Sequence, residues 1–315
     1  MKALVMDSFG GPEKLHWAEV PTPVPAANEV LVQIAYAGLN PVDWKIADGH
    51  LQKMLPHHFP LILGWDAAGT ITQVGKDVKT WKAGDKVFAY CRKPAVQWGT
   101  YAEYITLEAG NVAKAPSNLT FAQAAGVPLV ALTAWQALHE VALLKPGENI
   151  LVHAGAGGVG GYAVQFAKNQ GAKVFSTAGT KNQGFLKELG VDYPIDYTTK
   201  PFPQSVREVT KDGMDVVFDC VGGETLTQSY GLVKRGGRLV SIVDTPDKNL
   251  CEKLGIYGVF HFVRPDGAEL TQISQALENE KVKALPVDER KLADAAEAHR
   301  ESRKRHLRGK IVFKI

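Results

Sequence analysis

Asn149-Ile-Leu-Val-His-Ala-Gly-Ala-Gly-Gly-Val-Gly-Gly-Tyr-Ala-Val-Gln-Phe-Ala-Lys168 is the stretch that decides the fold. Ile150-Leu151-Val152 follows the turn pair Pro146-Gly147 and reads as a short strand buried on both faces. Glycines then fall at Gly155, Gly157 and Gly160, the spacing G-x-G-x-x-G, with Gly158 and Val159 between the last two. Beyond them Val159, Ala163, Phe166 and Ala167 recur at helical spacing up to Gly171, and Lys168 sits in the last turn, where the helix dipole favours a cation. Strand, glycine turn and helix together open a βαβ unit of ~30 residues. The first glycine permits the tight turn, the second lets the backbone approach a pyrophosphate, and the third lets helix and strand pack closely. The unpaired N–H groups that open the helix face the phosphates. Gly155, Gly157, Gly158, Val159 and Gly160 are therefore read as a dinucleotide-binding loop.

The next strand, Ala172 to Thr177, bears on which dinucleotide. An NAD site places Asp or Glu near the end of that strand for the ribose 2'-hydroxyl. Here Ala178-Gly179-Thr180-Lys181 follows Thr177, and no acid appears before Glu188. A carboxylate repels a 2'-phosphate, whereas hydroxyl and ammonium donors welcome it, so Thr177, Thr180 and Lys181 point to NADP. The other reading of Lys181 is a solvated lysine in the first turn of a helix.

Length and composition bound the rest. A chain of 315 residues with 45% hydrophobic content has room for about two domains with full cores. Its formal net charge of +3 is too small to argue for a nucleic-acid or membrane partner. Cys91, Cys220 and Cys251 are odd in number and far apart, with no C-x-x-C and no disulfide framework, which suits a reducing cytosol. No apolar run reaches membrane-spanning length, and Met1-Lys-Ala-Leu-Val-Met-Asp7 turns acidic too soon for a signal peptide. A cytoplasmic enzyme is the expectation.

Residues 1–120 carry short β-rich runs between turn signals: Ala3-Met6, Glu29-Ala37, Ala67-Val74, Lys86-Ala89 and Thr100-Thr106. Pro21, Pro23 and Pro25 mark an extended, loop-like stretch. From Thr120, a good N-cap, a helical apolar segment runs from Ala124 to Leu144 with a break near Pro128. Strands and helices then alternate. A helix from Asn182 to Leu189 precedes a third strand, Tyr193 to Tyr197. A fourth runs from Met214 to Cys220, a fifth from Arg238 to Val243, and a sixth from Gly255 to Val263 at the sheet edge. Six strands in this order predict a doubly wound parallel sheet with ligand at the carboxyl ends of its strands. Helices from Glu269 to Glu280 and from Arg290 to Arg303, and a strand Lys310-Ile315, return the chain to the first domain. The expected division is thus 1–120 with 265–315, and 121–264.

The order of these parts, with Gly38-Leu-Asn-Pro-Val-Asp43, Gly64-Trp-Asp-Ala-Ala-Gly69, Gly84-Asp-Lys-Val87 and Arg308-Gly-Lys-Ile-Val312, resembles the medium-chain dehydrogenase/reductase superfamily. More closely, the chain resembles the zinc-independent quinone oxidoreductases and the plant enone and alkenal reductases. The resemblance spans essentially the whole chain. It implies a GroES-like β-barrel domain beside a Rossmann domain, and an NADPH-dependent transfer of hydride to a quinone or an α,β-unsaturated carbonyl.

Departures from the zinc alcohol dehydrogenases sharpen that expectation. Those relatives have a cysteine where this chain has Asn40 and a histidine where it has Trp65. A catalytic zinc needs about three protein ligands and an open position, and neither Asn nor Trp normally serves. Residues 88–104 hold Cys91 alone in place of a four-cysteine structural site, and the adjacent His57-His58 read as loop histidines. No metal is expected. Without a Lewis acid, oxidation of simple alcohols is disfavoured, whereas a conjugated acceptor takes hydride directly and spreads the charge onto an oxygen.

The resemblance also implies site residues. Lys45, read as lying on the loop after Asp43, matches a lysine placed near the substrate carbonyl in the enone reductases; the other reading is a surface lysine snorkelling over Trp44. Asn40 is a second donor, Asp43 a loop cap, and Trp44 and Trp65 apolar walls, with core packing as the alternative for Trp65. Tyr197 matches a tyrosine beside the adenosine phosphate, or anchors its loop. Thr133 lies where the family places a residue near the nicotinamide half. Val221, Gly222 and Val243 follow strands four and five, and Phe260 and His261 cover the nicotinamide, with an edge histidine as the other reading of His261. Arg305 matches an arginine that reaches the 2'-phosphate; the basic run around it lacks the interleaved aromatics of a nucleic-acid surface. Two function classes are carried: the reductase, and a nucleotide-binding redox sensor or RNA-binding regulator with little catalysis. The apolar edge strand predicts a homodimer that continues the Rossmann sheet.

Overall fold

Val30, Val32 and Ile34 alternate along Glu29–Gly38 and point to one face, where they meet Ala67, Ile71, Val87, Ala89 and Ile105. This is the core of the first of two compact units in a computed structural model that describes residues 1–315. The first unit comprises Met1–Leu132 and Arg264–Ile315, and the second Thr133–Val263.

In chain order the first unit opens with β1 (Lys2–Met6), β2 (His16–Glu19), β3 (Glu29–Gly38), helix α1 (Pro41–Ala47), β4 (His57–Ile62), β5 (Asp66–Val74), β6 (Lys86–Tyr90), β7 (Val96–Trp98), β8 (Tyr104–Glu108) and β9 (Val112–Lys114). A four-stranded sheet has the order β2-β1-β4-β7. Helix α2 (Phe121–Ala125) follows, capped as the sequence suggests: the Thr120 hydroxyl accepts from the Gln123 N–H at 3.2 Å. Helix α3 (Pro128–Gln136) begins at the expected proline break.

The second unit is the predicted α/β half. It runs β10 (Asn149–Val152), α4 (Gly158–Asn169), β11 (Lys173–Ala178), α5 (Gln183–Glu188), β12 (Tyr193–Asp196), α6 (Phe202–Val209), β13 (Met214–Asp219), α7 (Gly223–Ser229), β14 (Val233–Ser241), α8 (Lys248–Leu254) and β15 (Tyr257–Phe260). All pairings in this sheet are parallel, in the order β12-β11-β10-β13-β14-β15. The strand order reverses about β10, the switch point at which doubly wound sheets bind ligands. Leu151, Phe175, Val217 and Leu239 from four neighbouring strands share one buried cluster.

The chain then returns with α9 (Gly267–Glu278), β16 (Val287–Lys291), α10 (Ala295–Arg303) and β17 (Lys310–Lys314). β17 pairs parallel to β16 and antiparallel to β3, completing a seven-stranded sheet, β16-β17-β3-β5-β6-β9 with β8 on β3.

Several expectations differ from the structure. His57 and His58 belong to β4, not to a loop, and Arg290 lies in β16, not in a helix. Thr100 and Tyr101 precede β8 because their N–H groups bond the carbonyls of Gly64 and Leu63. Lys45 is on helix α1, where Pro41 at the first position pre-sets the backbone, so the segment after Asn40 is not a loop. Residues 121–132 group with the first unit, since α2 packs on β3 and β5. No helix is long and apolar enough to cross a membrane.

Candidate functional site

The glycine loop leaves β10 at His153 and enters α4 at Gly158. Gly157 takes the extended N-cap conformation, φ −81° and ψ 176°, and the first N–H groups of this helix have no partner within it. Contact forces two of the glycines. A Cβ on Gly155 would run into the Ser176 hydroxyl and Leu186, and one on Gly160 into the Ala154 carbonyl. Ala154 itself holds a left-handed φ of 56°. Thr177 pins this turn: its hydroxyl accepts from the Ala154 N–H at 3.1 Å, and its carbonyl accepts from the Gly155 N–H at 3.0 Å. Thr177 is 4% exposed. Its hydroxyl builds the loop and is not turned outward to a ligand. The bare Cα atoms and the open end of a twelve-residue helix fit a pyrophosphate.

Register brings the other expected cofactor residues of this unit to the same end of the sheet. Val152 lies beside Ser176 and Phe218, Asp219 beside Ser241, and Ser241 beside Phe260. Buried Asp219 accepts from the N–H groups of Val221 and Gly222, each at 3.0 Å, and from the Ser241 hydroxyl at 2.7 Å. Ser241 Oγ accepts in turn from the N–H groups of Val243 and Asp244 at 3.2 Å, and its carbonyl from that of His261 at 2.8 Å. One Asp–Ser pair thus shapes the turns that carry Val221, Gly222, Val243 and His261. The sequence reading singles out neither residue, although an acid closing the apolar run Met214–Asp219 marks the place. Thr133 is buried on α3.

At the other side of the loop, the hydroxyl of half-exposed Tyr197 lies against Gly179, Thr180 Oγ1 is 2.8 Å from Thr198 Oγ1, and Lys181 is exposed on the turn Thr180–Asn182. Asp196 sits opposite Ala178 in register. An acid thus stands across the ladder from the end of β11, although none follows it directly in the chain. Hydrogen bonds from Thr180 and Thr198 hold its carboxyl below the usual range, and Thr198 donates to its Oδ1 through N–H (3.0 Å) and hydroxyl (2.6 Å).

In the first unit Asn40, Asp43, Asp66 and Lys310 form a cluster in which no residue exceeds 5% exposure. Lys310 Nζ donates to the Leu39 carbonyl and to Asn40 Oδ1, both at 2.5 Å, and lies 3.7 Å from Asp66 Oδ2. Asn40 Nδ2 donates to Asp66 Oδ2 at 2.8 Å, and the Leu129 N–H to Asp66 Oδ1 at 2.8 Å. Asp43 Oδ2 accepts from the Asn40 N–H at 2.8 Å and from the Tyr101 hydroxyl at 3.2 Å; that hydroxyl is 3.1 Å from His299 Nε2. Tyr101 has one proton and gives it to the carboxylate, so His299 is the donor in its pair. Burial pushes Asp43 up to about 7 and Asp66 up to about 6 against the pull of the Lys310 ammonium, and pulls Lys310 down.

The family "Alcohol dehydrogenase GroES-like domain" matches residues 26–117, and "Zinc-binding dehydrogenase" matches residues 189–313. A chloroplast envelope quinone oxidoreductase homolog of Arabidopsis thaliana is 34% identical over 99% of this chain and 98% of its own. An NADPH-dependent alkenal/one oxidoreductase of the same plant is 33% identical over 99% of this chain and 79% of its own. The structure of the quinone oxidoreductase from Coxiella burnetii superposes with a TM-score of 0.89 at 33% identity, covering 100% of this chain and 99% of that one. The chain belongs to the medium-chain dehydrogenase/reductase superfamily. Within it, the relatives place the chain in the quinone and enone oxidoreductase branch, and it is an oxidoreductase.

The zinc that one superfamily description names does not fit the donors present. No three His, Cys, Asp or Glu side chains converge on one point. Asn40 has both its amide oxygen and its amide nitrogen engaged, next to a buried ammonium that repels a cation. Trp65 packs edge-on to Tyr90, with ring centroids 6.1 Å apart, as a core residue. Burial raises the Cys91 thiol and so disfavours its thiolate. Asn40 is accordingly a brace for the start of α1, fully buried, rather than a donor turned outward. Lys45 Nζ rests 5.8 Å from the Trp44 ring centroid, and the Arg303 guanidinium 5.3 Å from the same ring. Arg305 is an exposed residue of the first unit with a left-handed φ of 57°.

His299 yields a prediction. Burial, with the Arg303 charge adding to it, lowers His299 to about 3 from its ordinary 6.5. Between these values the unfolded chain takes up a proton that the folded chain refuses, so this residue's contribution to stability falls as pH drops. Relative to His299→Gln, the wild-type protein is expected to lose up to ~1.4 kcal/mol per pH unit below about pH 6.5. Urea unfolding of both proteins from pH 7 to pH 4.5 measures the difference; parallel curves would contradict a buried neutral imidazole.

Proposed function

We propose that this oxidoreductase is an NADPH-dependent reductase of quinones or α,β-unsaturated carbonyls that works without zinc. The observation that carries the reading is the glycine loop at the β10–α4 turn, in a chain whose two zinc-ligand positions are Asn40 and Trp65. When bound, the nicotinamide supplies hydride. The chain's residues hold and orient it: Gly155, Gly157, Gly158, Val159 and Gly160 take the pyrophosphate, and Thr180, Lys181 and Tyr197 the phosphorylated ribose and adenosine. Thr133, Val221, Gly222, Val243, Phe260 and His261 line the nicotinamide end. The name of the NADPH-dependent alkenal/one relative supports the same choice of cofactor. Asp196 is the residue that weighs against it, since its hydrogen bonds hold the carboxyl below the usual range and so keep it ionised.

Reduced dinucleotides and a small panel of quinones and enones test this directly. NADPH is expected to bind more tightly than NADH, and NADPH oxidation by the panel to survive exhaustive chelation. Equal or tighter NADH binding refutes the cofactor assignment, and binding without turnover on any acceptor favours a sensor.

Lys45 is the proposed donor to the substrate oxygen, with Trp44 as the apolar platform beneath its stem. Charge grows on that oxygen as hydride arrives, so an ammonium there acts more strongly in the transition state than in the ground state. Lys45→Met is expected to lower enone turnover by roughly tenfold or more, with NADPH affinity nearly unchanged. Quinones are expected to suffer less, because their second carbonyl already spreads the charge. Unchanged enone turnover in this variant would remove Lys45 from the mechanism.

We also read the free edge of the second unit's sheet as the dimer interface. There β15 exposes Tyr257 (71%) and Val259 (37%), and an apolar edge invites pairing with another chain about a two-fold axis. Light scattering is expected to report a dimer that Tyr257→Lys with Val259→Lys dissociates; a wild-type monomer at micromolar concentration argues against it.

A further inference from the structure

His153 closes the strand that feeds the glycine loop, and it is 1% exposed. Both ring nitrogens are bonded: Nδ1 lies 3.1 Å from Thr177 Oγ1 and Nε2 lies 2.9 Å from Ser229 Oγ. The direction of each bond follows from counting protons. Ser229 has one, and gives it to the Thr225 carbonyl at 2.6 Å, because a carbonyl only accepts. Nε2 of His153 must therefore be the donor to Ser229. In the neutral ring Nδ1 is then an acceptor, so Thr177 donates its hydroxyl proton to Nδ1, leaving its lone pairs facing the Ala154 N–H at 3.1 Å. Burial keeps the ring neutral by lowering it to about 4, and Phe202 stands edge-on to it with centroids 4.7 Å apart.

We infer that His153 is a positioning residue for dinucleotide binding: as the Nε2–H tautomer it orients the Thr177 hydroxyl, which holds Ala154 in its left-handed turn and sets the phosphate loop. The run is directional, Ala154 N–H to Thr177 O–H to His153 Nδ1, then His153 Nε2–H to Ser229 O–H to the Thr225 carbonyl. It ties the loop to β11 on one side and to α7 on the other. A left-handed alanine is strained, and this bond to its N–H is among those that hold it. The inference rests on the glycine loop being the dinucleotide site.

Paired substitutions separate the two arms of the ring. His153→Asn places an amide oxygen near the Nδ1 position and keeps an acceptor for Thr177. His153→Gln reaches the Nε2 position and keeps the Ser229 bond while abandoning Thr177. NADPH affinity by calorimetry is expected to fall about tenfold in His153→Gln and in Thr177→Val, as for one lost buried hydrogen bond. It should stay within about threefold of wild type in His153→Asn and Thr177→Ser, and the double variant His153→Gln with Thr177→Val should match the single ones. Equal losses in the Asn and Gln variants, or additive losses in the double variant, overturn the inference, since packing alone does not distinguish the arms. Nitrogen-15 shifts of the wild-type imidazole give a readout independent of any variant's folding: a protonated Nε2 and bare Nδ1 support the wiring, and the opposite tautomer overturns it. Wild-type protein that binds neither NADPH nor NADH overturns the reading of the site itself and this inference with it. Wild-type binding with unaffected variants overturns the inference alone.

Discussion

The first unit depends on one ammonium group taken out of water. Lys310 Nζ touches the Leu39 carbonyl and the Asn40 side chain and faces Asp66, so it joins β17, the turn into α1 and β5 at a single point. Removing a charge from water costs several kcal/mol, and only nearby oxygens offset it. Those oxygens are fixed because Asp66 is also bonded by the Leu129 N–H in the first turn of α3, and Asp43 by the Asn40 N–H. The geometry that leads into α1, and so the placing of Trp44 and Lys45, follows from this shared requirement. The positive charge at this point is the chain's own, carried by the side chain of Lys310.

The second unit meets a similar demand without a charge pair. Its strands end in buried polar groups, His153, Thr177, Asp219 and Ser241, whose bonds are to each other, to loop N–H groups and to the Ser229 hydroxyl. A parallel sheet puts all these strand ends on one edge, so a few side chains set several loops together. Two of these groups lie directly behind residues expected to meet a cofactor, and their own side chains face inward.

Much of this was legible in the residues. Periodicity and glycine spacing locate β10, α4 and the six parallel strands, because strands buried on both faces are continuous apolar runs and the loop needs bare Cα atoms where Ser176, Leu186 and the Ala154 carbonyl approach. Thr120 announces its helix through local hydrogen bonding alone. Short strands such as β7 and β16 escaped, as did the α1 helix. Val287–Lys291 is a charged run whose last two residues read as the start of a helix, and it forms a strand beside β17. Asp196 was hidden because it is remote in sequence from Ala178 and adjacent only across the ladder. Asn40 and Thr177 were read as facing a ligand, because nothing local reveals that Lys310 and Ala154 consume their polar atoms.

The place of β17 has a consequence for how the polypeptide emerges during synthesis. β3, near the start of the chain, is flanked on one side by β17, some 270 residues later, as the Lys310–Asn40 bond measures directly. Thr133–Val263, continuous in sequence, has all its partners once it has left the ribosome. Until β17 is present, one side of β3 lacks its pairing and Asp66 lacks its counter-charge. The sheet that holds β3 is thus closed by a strand from the far side of an inserted, sequence-continuous unit.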